Sequence, residues 1–580
     1  MPRRIVIIGA VALGPKVACR ARRLDPEAEI VMLDRDSYIS YGGCGIPYYV
    51  GGDVADIEGL LSTAYHMRRD VGFFGNVKRV QARTRTEALE IDRKGKRVRV
   101  KALDGGQESW LPYDTLVLAT GSSPVVPPIE GADLPGVMAA ANLHQAKWIK
   151  DSVQKGEVEK AVIVGGGAIG LEMAEALTDL WGVEATVVEM QGQVLPTALG
   201  SDMARLVENA FRKGGVTILT GERVARIVGD AESGVQAVET ASGKRLDCQL
   251  VILAIGARPN AELARAAGLA VGRFGGILVD RRMRTSDPSI YAGGDCVELP
   301  HALSGHTVHL PLGSMANRQG RVIGTNVAGG RAEFPPVLGG FCMKTFESGL
   351  ARAGLTEAQA QEAGFEPVSA VVAMHDRAHF YPTVKMMYLK LIADRPTRRV
   401  LGIEALGESG DAVKARVDAV AAAMAHGATL EDISNLEVAY SPPYAQAMDI
   451  VNAAANTVEN ILDGLNVAVP MGDFLKAFEA GKVKVLDVRG APNAAPYIAR
   501  FGDRWQNIPG EQLAARLEEV DPEEPLVLFC NSGQRSYEAQ LLLRSRGLPV
   551  ASNVQGGHLL LKAMDEEFLG EGEGGEEEAH

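Results

Sequence analysis

Ala161-Val-Ile-Val-Gly165-Gly-Gly167-Ala-Ile-Gly170 decides the fold. Four apolar residues run into a G-x-G-x-x-G turn. A helical segment follows to about Trp181, and Ala185-Thr-Val-Val-Glu189 then makes a second strand ending in an acid. Strand, glycine turn, helix and strand form one βαβ unit of a parallel sheet buried on both faces. Gly165 permits the tight turn, Gly167 lets backbone approach a pyrophosphate, and Gly170 lets the helix close on the strand. The helix N-terminus then faces the phosphates, and Glu189 can accept from a ribose 2′-hydroxyl. An acid rather than an arginine at 189 favours NADH, with NADPH as the alternative.

The same grammar opens the chain. Arg4-Ile-Val-Ile-Ile leads into Gly9-Ala-Val11-Ala-Leu13-Gly14, a helix through Arg23, and the strand Glu29-Ile-Val-Met-Leu-Asp34. Val11 stands where the second glycine belongs, yet Asp34 ends its strand as an adenosine ribose ligand should. Two further strands end in small-residue turns, Leu116-Val-Leu-Ala-Thr120-Gly121 and Ile290-Tyr-Ala-Gly-Gly-Asp295. Two dinucleotide sites are therefore expected in one chain.

A chain of 580 residues exceeds what one hydrophobic core supports, so three or four domains are expected. The net charge of -13, part of it from Glu571, Glu573, Glu576, Glu577 and Glu578, is the opposite of a nucleic-acid binder's balance. Met1 to Arg4 leads straight into a strand, without an apolar signal segment or a long apolar run. That predicts a cytoplasmic chain with no membrane partner. Cys19, Cys44, Cys248, Cys296, Cys342 and Cys530 are scattered with no C-x-x-C spacing. This argues against a disulfide framework or a metal site, and for one or two reactive thiols.

Over roughly residues 1–455 the order of these segments resembles the FAD- and NAD(P)H-dependent disulfide reductases of the glutathione-reductase fold. The resemblance implies an α/β chain with two Rossmann-like dinucleotide-binding domains and an α+β dimerisation domain. The expected boundaries are 1–155 with 275–329 for FAD, 156–274 for NAD(P)H, 330–455 for dimerisation and a linker at 456–466. Gly9, Val11, Gly14, Asp34, Thr120, Gly121 and Asp295 would then hold FAD, while Gly165, Gly167, Gly170 and Glu189 would hold NADH.

Tyr38-Ile-Ser40-Tyr-Gly-Gly43-Cys44-Gly-Ile-Pro-Tyr-Tyr49 carries the chemistry. Reductases with an internal cysteine pair place the second cysteine five residues after the first, and that position is Tyr49. Oxidised Cys44 must therefore be a mixed disulfide with a small thiol, a persulfide or a sulfenic acid. The segment resembles the single-cysteine subgroup: coenzyme A disulfide reductases, NADH-dependent persulfide reductases, NADH oxidases and NADH peroxidases. In that subgroup the cysteine begins a helix beside the flavin, which would favour thiolate and lower its pKa. Oxidases and peroxidases carry a histidine in the first glycine turn, where this chain has Ala12. Sulfur chemistry is accordingly expected, with NADH oxidase or peroxidase chemistry through a Cys44 sulfenic acid as the alternative.

The resemblance also implies coenzyme A contacts from the first helix, where Lys16, Arg20 and Arg23 share a face. Ser40 matches a position near the bound thiol, and Gly43 replaces an asparagine common in the subgroup. Tyr440, in Glu437-Val-Ala-Tyr440-Ser-Pro-Pro-Tyr444, and Tyr381, in His379-Phe-Tyr381-Pro, match tyrosines that reach across a homodimer interface to the other subunit's cysteine. A phenol there could serve the leaving thiolate.

From Val467 a last α/β unit begins. Strand Leu526-Val-Leu-Phe529 runs into Cys530-Asn-Ser-Gly-Gln-Arg535-Ser536. A cysteine at a strand end followed by a short polar loop and a helix meets consecutive backbone N–H groups, and Arg535 adds positive charge. The loop, with Val485-Leu-Asp487-Val-Arg489 and Gln555-Gly-Gly-His558, resembles a rhodanese. A rhodanese-like domain is expected at 467–569 and a disordered acidic tail at 570–580. Arg504-Trp-Gln-Asn-Ile508-Pro-Gly510 lacks the histidine usual there. The activity expected is NAD(P)H-dependent reduction of coenzyme A disulfide, coenzyme A persulfide or polysulfide through Cys44, with Cys530 carrying sulfane sulfur.

Overall fold

A computed structural model describes residues 2–521, 526–548, 552–564 and 568, and the expected tail at 570–580 lies outside the described residues. The chain forms two compact units, Met1–Gln191 with Gly214–Val337, and Gly192–Lys213 with Leu338–His580.

The first unit holds two five-stranded parallel sheets. One runs in the order Ile290–Ala292, Thr115–Leu118, Arg4–Ile8, Glu29–Leu33, Gln81–Arg83. The other runs Thr217–Leu219, Glu184–Val188, Lys160–Val164, Leu250–Leu253, Val137–Met138. Helices cover both faces, which is why the central strands read as unbroken apolar runs: Ile5, Ile7, Val162 and Ile163 are all fully buried. In each sheet the strand carrying the glycine turn lies where the order reverses, and its carboxyl end opens a crevice.

The second unit is built on an antiparallel sheet ordered Phe341–Thr345, Ser348–Gly354, Val400–Gly407, Met386–Asp394, Pro367–His375. Arg352, Glu404 and Lys390 stand side by side across it and are all buried. Glu404 accepts from Gly200 N–H with both oxygens, at 3.1 and 3.0 Å, where helix Ser201–Lys213 begins. Lys390 meets Glu357 at 2.5 Å and Asp202 at 3.8 Å. Buried charges demand such partners. Through them Gly192–Lys213, which lies within residues 156–274, packs with the second unit.

The same unit carries a parallel sheet ordered Ala468–Val469, Ser552–Val554, Leu526–Phe529, Lys484–Asp487, Trp505–Asn507. In its core Arg489 and Asp487 are fully buried and paired at 2.7 Å. Trp505, in the stretch that lacks the usual histidine, stacks on Tyr497 at 4.4 Å and donates to Asp487 at 3.1 Å. Among the described residues no helix is long and apolar enough to cross a membrane, and no group of His, Cys, Asp and Glu is placed to hold a metal ion.

Candidate active sites

The two glycine turns share one plan. Gly9 and Gly165 have φ of +106° and +111°, and their N–H groups donate to Leu33 O at 2.8 Å and Val188 O at 2.9 Å. A Cβ on Gly14 would lie 1.9 Å from Gly9 O, and one on Gly170 would lie 2.1 Å from Gly165 O, so neither helix could close with a side chain there. Asp34 accepts from Ala10 N–H at 2.8 Å and Asp36 N–H at 2.9 Å. Glu189 accepts from Gly166 N–H and Gln191 N–H, both at 2.7 Å. Each carboxylate oxygen keeps a lone pair for a ribose hydroxyl. Burial pushes Asp34 up in pKa, opposed by its two backbone donors.

Around the first turn Val11 is half-buried beside Ala12, which stands at the start of helix Leu13–Leu24 and offers no side-chain cap. Ser40 is buried with φ +51°, a strained backbone held by its N–H to Ala10 O at 2.6 Å. Asp295 accepts from Ser122 Oγ at 3.1 Å, and burial pushes its pKa up. Thr120, expected at the flavin, directs its hydroxyl to Asn260 O at 2.6 Å, and Asn260 Nδ2 returns a bond to Thr120 O at 2.9 Å. Nothing in the sequence singled out Asn260.

Cys44 lies in the short 3-10 turn Gly43–Gly45 ahead of the six-residue helix Ile46–Gly51. A different helix addresses its sulfur. Gly313 opens the 15-residue helix Gly313–Val327, its N–H donates to Cys44, and a Cβ there would sit 3.2 Å from Sγ. The cysteine is exposed to solvent. Burial is the largest influence and pushes its pKa up, the Glu172 carboxylate pushes the same way, and the Gly313 N–H opposes both. The depressed pKa expected from the sequence is thus corrected: the net direction is upward.

Glu172, on helix Ala168–Thr178, went unnoticed in the sequence. Burial and the neighbouring Glu175 carry its pKa to about 7, against a hydrogen bond from Tyr48. Above that pH its charge disfavours a Cys44 thiolate. Glu172→Gln should therefore speed iodoacetamide alkylation of Cys44 at pH 8 by roughly three- to tenfold. The wild-type rate profile should show an inflection near 7 that the variant lacks. Identical profiles would separate the two groups.

The first helix packs on Gly313–Val327 at close range. A Cβ on Gly320 would lie 2.8 Å from Lys16 Cβ, and one on Gly324 would lie 2.6 Å from Arg20 Cβ. This brings Lys16, Arg20 and Arg23 against Asn317, Arg318 and Arg321 around a cavity of about 270 Å³ with no carboxylate in its lining. Arg20 Nε is held by Thr325 Oγ1 at 3.0 Å, and Arg23 Nε by Cys19 O at 3.0 Å. Half of this cluster comes from residues that sequence reading passed over.

Cys530 is 1% exposed. Its Sγ accepts from Gly533 N–H at 3.2 Å and faces Ser536 Oγ at 3.1 Å. Gly533, with φ +97°, precedes helix Gln534–Ser545, whose first turn carries an exposed Arg535. Ser536, quoted from the sequence only as part of the loop, is the second polar contact of the sulfur.

Three family patterns match in order. Residues 3–320 match the pyridine nucleotide-disulphide oxidoreductases, residues 343–451 their dimerisation domain, and residues 471–560 the rhodanese-like domain. The chain belongs to the pyridine nucleotide-disulphide oxidoreductase family. The solved NAD-dependent persulfide reductase from A. fulgidus is 39% identical, with a TM-score of 0.91 over 97% of this chain and 99% of that one. The CoA-dependent NAD(P)H sulfur oxidoreductase of Pyrococcus abyssi is 36% identical over 77% of this chain and 96% of its own length. A protein named NADH oxidase from Methanocaldococcus jannaschii is 35% identical over 78% of this chain and 98% of its own.

This oxidoreductase family uses FAD and NAD(P)H, and the residues present suit both. Nothing lies within 4 Å of the Cβ position on Gly167 or Gly121, so backbone is free to meet a pyrophosphate. Within the oxidoreductase's dimerisation domain the loops carrying Tyr381 and Tyr440 are drawn together. Ala378 N donates to Pro442 O at 3.3 Å, and buried Arg416 donates to Asp376 O, Tyr444 O and Asp449 at 3.0, 3.1 and 2.9 Å. Tyr440 is 52% exposed and Tyr381 half-buried. Arg416, the hub of this arrangement, carried no motif.

Proposed function

We propose that this oxidoreductase uses NAD(P)H to reduce coenzyme A disulfide, coenzyme A persulfide or polysulfide through Cys44, and that Cys530 carries sulfane sulfur. The observation that carries the reading is helix Gly313–Val327. Its first N–H meets Cys44, and its flank supplies Arg318 and Arg321 to the basic cavity. From Gly313 to Arg321 the axis runs about 12 Å, so one rigid element spaces the reacting sulfur from an anionic handle. Arginines and a lysine without a competing carboxylate suit phosphates.

The Cys44 thiolate attacks one sulfur of the substrate and releases a thiol or hydrosulfide, leaving a mixed disulfide or persulfide on Cys44. FAD, which Asp34, Asp295 and the Gly9–Gly14 turn would hold, would supply two electrons drawn from NAD(P)H; with these and one proton the sulfur–sulfur bond at Cys44 breaks, the second thiol or hydrogen sulfide leaves, and the Cys44 thiolate is restored. The Gly313 N–H stabilises the thiolate at each stage. Glu172, near its midpoint at neutral pH, can hold or release a proton beside it.

Arg321→Ala and Arg20→Ala should each weaken coenzyme A binding by about tenfold, read by calorimetric titration of the holoenzyme. Unchanged affinity in both would remove coenzyme A from the cavity. The exposed Phe380, Tyr440, Tyr444 and Met448 of the dimerisation domain support a homodimer, with Tyr381 and Tyr440 serving the partner subunit's thiol. Sedimentation as a monomer would refute that. A second reading, NADH oxidation by oxygen or peroxide through a Cys44 sulfenic acid, is favoured by the names of relatives such as the Methanocaldococcus protein. Ala12 offers no acid or base for it. Oxygen consumption exceeding disulfide reduction would reverse the order.

A further inference from the structure

Strand Pro367–His375 is the edge of the dimerisation sheet and pairs on one side only, with Met386–Asp394. Edge strands present backbone donors and acceptors that something must satisfy. The side chain of Gln555, 8% exposed, does so here. Its Oε1 accepts from Val371 N–H at 3.0 Å and its Nε2 donates to Ser369 O at 3.3 Å. The amide thus meets residues two apart on the strand, as one peptide group of an added strand would.

The residues after Gln555 form the back of the Cys530 loop. Gly556 and Gly557 have φ of +70° and +53°. A Cβ on Gly557 would lie 2.2 Å from Cys530 O, and one on Gly533 would lie 3.5 Å from Gly556 N. His558 N donates to Cys530 O at 2.8 Å, and Leu559 N to Asn531 O at 2.9 Å. Tyr388, on the strand beside the edge, adds a bond from its hydroxyl to Leu559 O at 3.4 Å. Every one of these contacts lies within the second unit.

We propose that Gln555 is a positioning residue for Cys530: through its amide, the edge strand of the dimerisation domain fixes the glycine turn against which the sulfur-carrying loop closes. This rests on the reading of Cys530 as a sulfur carrier. The donors at the sulfur explain why placement matters. Ser536 has one hydroxyl proton, and Asn553 Oδ1 competes for it at 2.6 Å against 3.1 Å to Cys530 Sγ. The Gly533 N–H is therefore the donor Cys530 can always use, and its aim depends on the contact between Gly533 and the Gly556 turn. A turn released from the edge strand both misdirects that N–H and uncovers a sulfur that is otherwise sealed.

The test uses the full-length flavoprotein carrying Gln555→Met, which keeps volume and removes the amide. A second variant, Val371→Pro, deletes the same donor from the other side, at an edge position where proline is tolerated. Sulfur transfer is followed with thiosulfate as donor and cyanide as acceptor, yielding sulfite and thiocyanate. In both variants kcat should fall by on the order of tenfold or more, with KM for thiosulfate changed by less than about twofold. At one fixed pH, iodoacetamide should reach Cys530 faster than in the wild type, because the turn no longer covers a sulfur that is 1% exposed, a readout that a remote packing defect would not move. Reduction of coenzyme A disulfide through Cys44 should be unchanged. Wild-type rates of transfer and of alkylation in both variants would overturn the inference alone. A wild-type chain that transfers no sulfur would overturn the assignment of Cys530, and this inference with it.

Discussion

Cys44→Ser is expected to lower NAD(P)H-dependent reduction of coenzyme A disulfide by on the order of 10³-fold or more while FAD stays bound. The size of the effect follows from isolation. All six cysteines are free, and the position where a second redox cysteine would stand is Tyr49, 5% exposed with Lys150 Nζ 4.1 Å above its ring. No second thiol can take over the attack, and a serine hydroxyl neither ionises near neutral pH nor forms a disulfide. Bleaching of the flavin by NADH in stopped flow should survive the substitution, because the nicotinamide side of the site is untouched. Loss of bleaching together with turnover would point to misfolding rather than chemistry. Full disulfide turnover in the variant would remove Cys44 from the mechanism.

Cys530→Ala is expected to abolish sulfur transfer from thiosulfate, a loss on the order of 10³-fold or more, and to leave disulfide reduction through Cys44 at its wild-type rate. Serine at 536 contributes more modestly, so Ser536→Ala should leave measurable transfer: the Gly533 N–H at 3.2 Å remains, and one charge-assisted hydrogen bond is worth about 1.5–3 kcal/mol. Mass analysis of wild-type protein after thiosulfate treatment should show one added sulfur on the peptide containing Cys530 and none in the alanine variant. Coenzyme A disulfide reduction falling with Cys530→Ala would mean that the two thiols act in series rather than as separable functions.

The two dinucleotide turns were legible because their demands are local. Only glycine accepts the positive φ of Gly9 and Gly165, and only glycine permits the approach at Gly14 and Gly170. The incomplete first turn could still be read, since Asp34 repeats the part Glu189 plays, down to the backbone groups each carboxylate accepts from. Cys44 and Cys530 stood out for a similar reason: each follows a strand or turn within a few residues of a helix start. The limits of such reading are equally specific. The lowered pKa expected for Cys44 assumed that its own short helix set the electrostatics, whereas burial and Glu172 dominate. No motif announced the buried row of charges in which Glu404 holds the start of helix Ser201–Lys213.

Strand–turn–helix periodicity, glycine placement and the solitary cysteine are properties of neighbours along the chain, and from these the sequence alone determined the fold class, the two glycine turns and the two candidate sulfurs. Which groups surround those sulfurs was decided only in three dimensions. Gly313 reaches Cys44, Arg318 and Arg321 complete a cavity begun by Lys16, Arg20 and Arg23, and Gln555 grips Val371. Each of these pairings joins segments separated by well over a hundred residues. No local pattern encodes such a meeting, because it depends on how separately formed elements pack.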